Sequence, residues 1–95
     1  MSTDEGYREL IESMIKEERR VVKDVALKEV REMEGIVIDE DGNIVELSED
    51  GREVFTRIYR RYKELGFGTV RIVIKKAIEP VLEKNPDLEV PEELR

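Results

Sequence analysis

Ile36-Val37-Ile38-Asp39-Glu40-Asp41-Gly42-Asn43-Ile44-Val45-Glu46-Leu47 is the stretch that makes an otherwise helical sequence α+β. Two β-rich arms flank an Asp-Gly pair, which suits a type I′ turn because that turn needs φ > 0 at both central residues. Placing Asp41-Gly42 at the tip opposes Glu40 to Asn43, Asp39 to Ile44, Ile38 to Val45, Val37 to Glu46 and Ile36 to Leu47. Ile36, Ile38, Val45 and Leu47 then share one face. Moving the tip to Gly42-Asn43 would set Asp39 against Glu46, a like-charge cross-strand pair, so charge favours the first register. A hairpin alone is marginal in water, so its apolar face must lie on helices or gain a strand.

Upstream of the hairpin, the spacing predicts a long helix over 2–34. Ser2-Thr3-Asp4-Glu5 has the form of a capping box, and Gly35 supplies a stop. Tyr7, Leu10, Ile11, Met14 and Ile15, then Val21, Val22, Val25, Ala26, Val30 and Met33, recur at three and four residues. Lys16-Glu17-Glu18-Arg19-Arg20 interrupts this stripe without a Gly or Pro. An unbroken helix from residue 3 to 34 would run about 48 Å, whereas a compact domain of this size has a radius of gyration near ~12 Å. The helix must therefore bend near Glu17–Arg20 or project toward a partner, and the commonest partner is a second copy. The residues placed at such a dimer interface are Val21, Val22, Val25, Val30 and Met33.

Downstream, Ser48 is the expected cap of a helix over 49–65, with Val54, Phe55, Ile58, Tyr59, Tyr62 and Leu65 as its buried stripe. Gly66-Phe67-Gly68 ends it. Thr69 then caps a helix over 69–84, with a strand over 70–74 as the lesser alternative, and Pro80 is expected to kink it or end its first part at Ile78 or Glu79. In the tail, 85–95, alternation of Leu88 and Val90 with charged residues allows a short edge strand beside the hairpin, and the two chain ends read as loose. The whole reads as one small domain, α+β and mainly helical, whose hairpin rests on the last two helices. The first helix joins the core or a second subunit.

Charge is divided unevenly along the chain. Residues 1–50 carry 7 Lys/Arg against 16 Asp/Glu, residues 51–84 carry 9 against 4, and residues 85–95 carry 1 against 4. One basic segment thus sits inside a chain of net charge −7, which points either to a phosphate-bearing partner or to pairing with the chain's own acids. Absence of Cys, His, Trp and Gln, with abundant Glu, Lys and Arg, resembles the compositional habit of thermophile proteins. Without Cys no disulfide framework forms, no apolar run approaches the ~20 residues of a membrane span, and the acidic Met-Ser-Thr-Asp-Glu start is unlike a leader. A cytoplasmic location is the expectation.

The same composition bears on chemistry. Nucleophilic sites built on His or Cys are impossible, the usual zinc ligands are missing, and no carboxylate pair stands in an apolar setting. No enzymatic activity and no cofactor are expected. The acidic turn fails as an EF-hand loop: with Gly42 at position 6, Val37 and Ser48 fall where oxygen ligands belong, so no metal site is assigned. Arg57, Arg60, Arg61, Arg71, Lys75 and Lys76 form the candidate nucleic-acid or anion-binding set, the first three on one helix and the rest at the start of the next, where cations oppose the macrodipole. Their alternative is a solvated face paired as Glu53–Arg57, Arg60–Glu64 and Lys75–Glu79.

Two resemblances bear on that set. Helix, glycine turn and helix around Gly66 resembles a helix-turn-helix, although Tyr62 stands where that motif usually has a small residue. Gly35–Lys63, including Leu47-Ser48-x-x-Gly51-Arg52, resembles the wing hairpin and following helix of winged-helix regulators, which implies DNA binding. The three-helix unit that precedes such a wing does not fit into an unbroken first thirty residues. The expected function is a non-catalytic interaction or regulatory module acting through homodimerisation, with nucleic-acid or anion binding by the basic helix pair as the alternative.

Overall fold

The apolar stripe of the first thirty residues is carried by two helices. In the computed structural model, which describes residues 3–66 and 70–95, these are α1 (Thr3–Val22) and α2 (Asp24–Arg31). β1 (Ile36–Ile38), β2 (Ile44–Leu47), α3 (Gly51–Glu64), α4 (Val70–Lys84) and a 3-10 turn (Glu92–Leu94) follow. The Ser2 cap and the Phe67-Gly68-Thr69 turn lie outside the described residues.

The break in the first helix falls at Lys23, just beyond the expected Glu17–Arg20. Lys23 holds φ 62 and ψ −139, its N–H still bonded to the Arg19 carbonyl at 2.9 Å. A β-carbon disfavours that conformation by about 1–3 kcal/mol. The bend keeps the molecule to 32 × 27 × 19 Å, with a radius of gyration of 12.0 Å, dimensions that the straight helix would overrun. Turning at Lys23 lays Ala26, Leu27 and Val30 back onto the core. α2 ends at Arg31, short of residue 34, and a turn leads to Gly35 at φ 87.

α1 is the centre of the domain. Leu10, Ile11, Met14 and Ile15 are wholly buried, and both α3 and α4 pack on α1 more than on each other. That arrangement lacks the close mutual crossing of a helix-turn-helix pair. The hairpin lies on α1 and α2 rather than on the last two helices. Its outer pairs, Ile36 with Leu47 and Val37 with Glu46, are as read from the sequence, but a bulge then sets Ile38 opposite Ile44 and leaves Val45 unpaired. Val45 is consequently exposed, and Ile44 takes its place against the core.

The turn differs too. Gly42 N–H donates to the Asp39 carbonyl and Asp39 N–H to the Asn43 carbonyl, and Gly42, not Asp41, has positive φ. This is a three-residue loop closed by a glycine bulge instead of a type I′ turn. The Asp39 carboxylate drives it by accepting from the N–H groups of Asp41 and Asn43, each at 2.9 Å, and from Asn43 Nδ2 at 3.2 Å.

α3 starts later than expected: Asp50, not Ser48, is its cap and accepts from Glu53 N–H, while Ser48 N–H donates to the Gly35 carbonyl and closes the hairpin. α4 passes through Pro80 without ending. Pro80 and Lys76, whose carbonyl it leaves unbonded, lie on the exposed face, where water can serve that carbonyl.

No strand forms in the tail, since Pro91 turns it into the 3-10 segment and buries Leu88 and Leu94. The Tyr7 hydroxyl donates to the Glu89 carbonyl and accepts from the Glu89 N–H, fastening this end to α1. The tail is therefore part of the core, not loose.

Candidate functional site

Two surfaces contain some of the residues singled out from the sequence. The first is the α1–α2 corner. Val21 is 53% and Val25 45% exposed, one on each side of Lys23. Val22 and Met33 are half-buried against the core, and Val30 is 0% exposed. Val30 thus belongs to this chain's own core and offers no interface contact, so only Val21 and Val25 present substantial apolar surface. The other exposed apolar residues stand apart by element: Val37 and Val45 on the hairpin, Leu65 after α3 and Ile72 on α4.

The second surface follows α3. An open groove of about 720 Å³ is lined by Met33, Arg52, Thr56, Arg57, Arg60 and Arg61, together with Asp50, Glu53 and Glu64. Most of its cations are engaged. Arg57 donates to the Glu34 carbonyl at 3.0 Å and to Glu49 Oε1 at 2.8 Å. Arg61 Nε donates to Glu29 Oε1 of α2 at 2.7 Å, which holds the guanidinium above its ordinary pKa, and lies 3.9 Å from Glu64. Arg52 pairs with Glu89 of the tail. Arg60 is exposed and makes no ion pair among the described residues. Among the described residues the expected pairs Glu53–Arg57, Arg60–Glu64 and Lys75–Glu79 do not form; Arg57 and Arg61 reach Glu49 and Glu29 outside α3 instead.

The rest of the basic set lies elsewhere. Arg71 reaches the Glu93 carbonyl at 3.5 Å. Lys75 is half-buried beside Glu79, Leu82 and Leu94 at a small recess, and Lys76 is exposed. Only Arg57, Arg60 and Arg61 of the six line the α3 groove.

Sequence reasoning missed three features. Lys63 pairs with Glu93 at 2.7 Å and lies 5.4 Å from the centre of the Tyr59 ring, whose hydroxyl donates to the same carboxylate. Those two donors hold the Glu93 carboxyl below its ordinary pKa, Lys63 contributing most. Arg52 completes the tie between α3 and the tail. The third is Glu18, which is 0% exposed and has no hydrogen-bond partner among the described residues on either carboxyl oxygen. Burial first and the neighbouring Glu17 second push its pKa up to about 7. Its signal was spacing: with Ile11, Ile15 and Val22 it keeps the helical stripe, so an acid there must face the core.

Among the described residues no group of acids is placed to hold a metal ion, and no helix is long and apolar enough to cross a membrane. Compared with known proteins, the chain matches no family model, no curated protein and no solved structure.

Proposed function

We propose that this chain is a non-catalytic interaction module that works as a homodimer centred on the α1–α2 corner. The observation that carries the reading is the pair Val21 and Val25, apolar and about half exposed on the two sides of a sharp bend. Exposed valines bordering a structured corner gain by burial, and a second copy brings the same two residues to a two-fold axis. The charge division supports it as well: Arg52, Arg57, Arg61, Lys63 and Lys84 each meet an acid of their own chain, so the basic segment has a use without a polyanion. Light scattering of the full chain at low and high salt tests this. A salt-resistant dimer that the double variant V21D/V25D converts to monomer is the expected result, and a wild-type monomer across the concentration range defeats the reading.

A second reading rests on Arg60, which lines the α3 groove with Arg57 and Arg61 and makes no ion pair among the described residues. There the chain would bind an anion such as a nucleic-acid phosphate. Affinity for a mixed oligonucleotide that falls with salt and is lost in R60E would favour it over the first.

A further inference from the structure

The bend at Lys23 sets the backbone conformation against its own sequence. Residues 7–34 contain neither Gly nor Pro, and their spacing reads as continuous helix. Lys23 nevertheless holds φ 62, and it is the only residue other than glycine with positive φ among the described residues. If Lys23 took ordinary helical angles, α1 and α2 would join into one rod from Thr3 to Arg31, about 43 Å long at 1.5 Å per residue. The rod cannot close onto its own core, because the molecule is only 32 Å in its longest dimension. It can close onto another's.

We infer that the dimer forms by exchange of α1, with Lys23 as the hinge: each chain's α1 leaves its own core and fills the equivalent place in a second copy. This deepens the homodimer reading and rests on it. Exchange re-forms in trans the contacts that α1 makes away from the hinge, including the packing on α3 and α4, the Glu12 bond to Ile44 N–H and the Tyr7 clamp on Glu89. Two things separate the dimer from two monomers apart from the entropy of association. The strain at two Lys23 residues is released, and the two hinge segments run side by side, which brings Val21 and Val25 of both copies together and covers them. An ordinary face-packed dimer would cover the valines and leave Lys23 strained.

The chain has no cysteine, so a placed pair reports the exchange directly. Lys84 Nζ of α4 lies 3.2 Å from Glu9 Oε1 of α1 on the surface, and the full-length variant E9C/K84C puts two thiols across the α1–α4 contact at the loss of one exposed ion pair. The variant is brought to high concentration, its mass is measured, and it is then treated with a short bis-maleimide and run on a denaturing gel. Dimer mass in solution with a covalent dimer on the gel is the expected result. Dimer mass with only internally linked monomer overturns the exchange and leaves the homodimer reading standing, whereas monomer mass with linked monomer overturns both. Lys23→Gly supplies a second measurement. Glycine removes the strain of the bend and weakens the straight helix, and each dimer has two hinges, so its dissociation constant should rise by about 10²-fold. A constant unchanged by K23G overturns the hinge.

Discussion

A carboxyl removed from water without a hydrogen-bond donor binds its proton more tightly folded than unfolded, and Glu18, with no such donor among the described residues, is in that position between Glu17 on its own helix and Tyr62 on α3. Below about pH 4.5 it is protonated in both states and contributes no pH dependence. Between there and about 7 the folded chain keeps the proton that the unfolded chain gives up, so stability falls as pH rises, by at most about 1.4 kcal/mol per pH unit. Above about 7 the loss is complete, at roughly 3 kcal/mol. Urea unfolding at pH 5 and pH 8 should therefore show wild type losing stability relative to E18Q. E18L should exceed wild type at pH 8 by about 1–3 kcal/mol. Parallel profiles for wild type and E18Q would mean that Glu18 does not titrate in this range. Glycines pose a steric counterpart to this residue. A β-carbon on Gly51 would come within 2.6 Å of Tyr7 Cβ, which α1 fixes, whereas one on Gly6 would meet the movable end of Leu88 at 2.8 Å. G51A should cost about 1–3 kcal/mol and G6A less, measured by the same unfolding curves.

At the scale of elements, periodicity made the helices legible and local chemistry decided their ends. The stripes on α1, α3 and α4 could be read residue by residue, because burial on one face leaves a spacing of three and four in any sequence that folds this way. The ends could not, since Ser48 and Asp50 are both good caps, and in the fold the Asp50 carboxylate takes the Glu53 N–H while Ser48 N–H closes the hairpin. Pro80 was misleading for a similar reason: a helix interior tolerates proline where the freed carbonyl meets water. It still carries a cost, so P80A should raise stability by about 1–3 kcal/mol while leaving the α4 contacts with α1 intact. A destabilised P80A would mean that the proline sets a bend on which those contacts depend. The hairpin shows the same limit, because Asp39 captured three N–H groups and thereby displaced the turn expected of Asp41-Gly42. That capture holds the Asp39 carboxyl below its ordinary pKa, the Asn43 N–H contributing most. The stabilisation is present above the usual carboxylate range and lost as pH falls through the lowered pKa. In D39A, hydrogen exchange at the Asn43 and Ile44 amides should speed up while that of α1 is unchanged.

For the molecule as a whole, the sequence displayed an uneven charge but not what would meet it. Cross-element pairing depends on which side chains the fold brings together: Arg61 finds Glu29, Arg52 finds Glu89 and Lys63 finds Glu93, partners 32, 37 and 30 residues away respectively. Candidate site residues suffered from the same blindness, with Val30 taken into the core and Arg71, Lys75 and Lys76 parted from the α3 groove. Two kinds of contact hold the tail, and their magnitudes differ. Its ion pairs to α3 are exposed and contribute little once salt screens them. Leu88 and Leu94 are fully buried, and truncating a buried leucine typically removes about 2–5 kcal/mol, which for a domain of this size lowers Tm by roughly 10–25 °C. Thermal unfolding should then respond weakly to 1 M NaCl and strongly to L88A or L94A. A large salt effect with tolerant leucines would instead assign the closure of the domain to its charges.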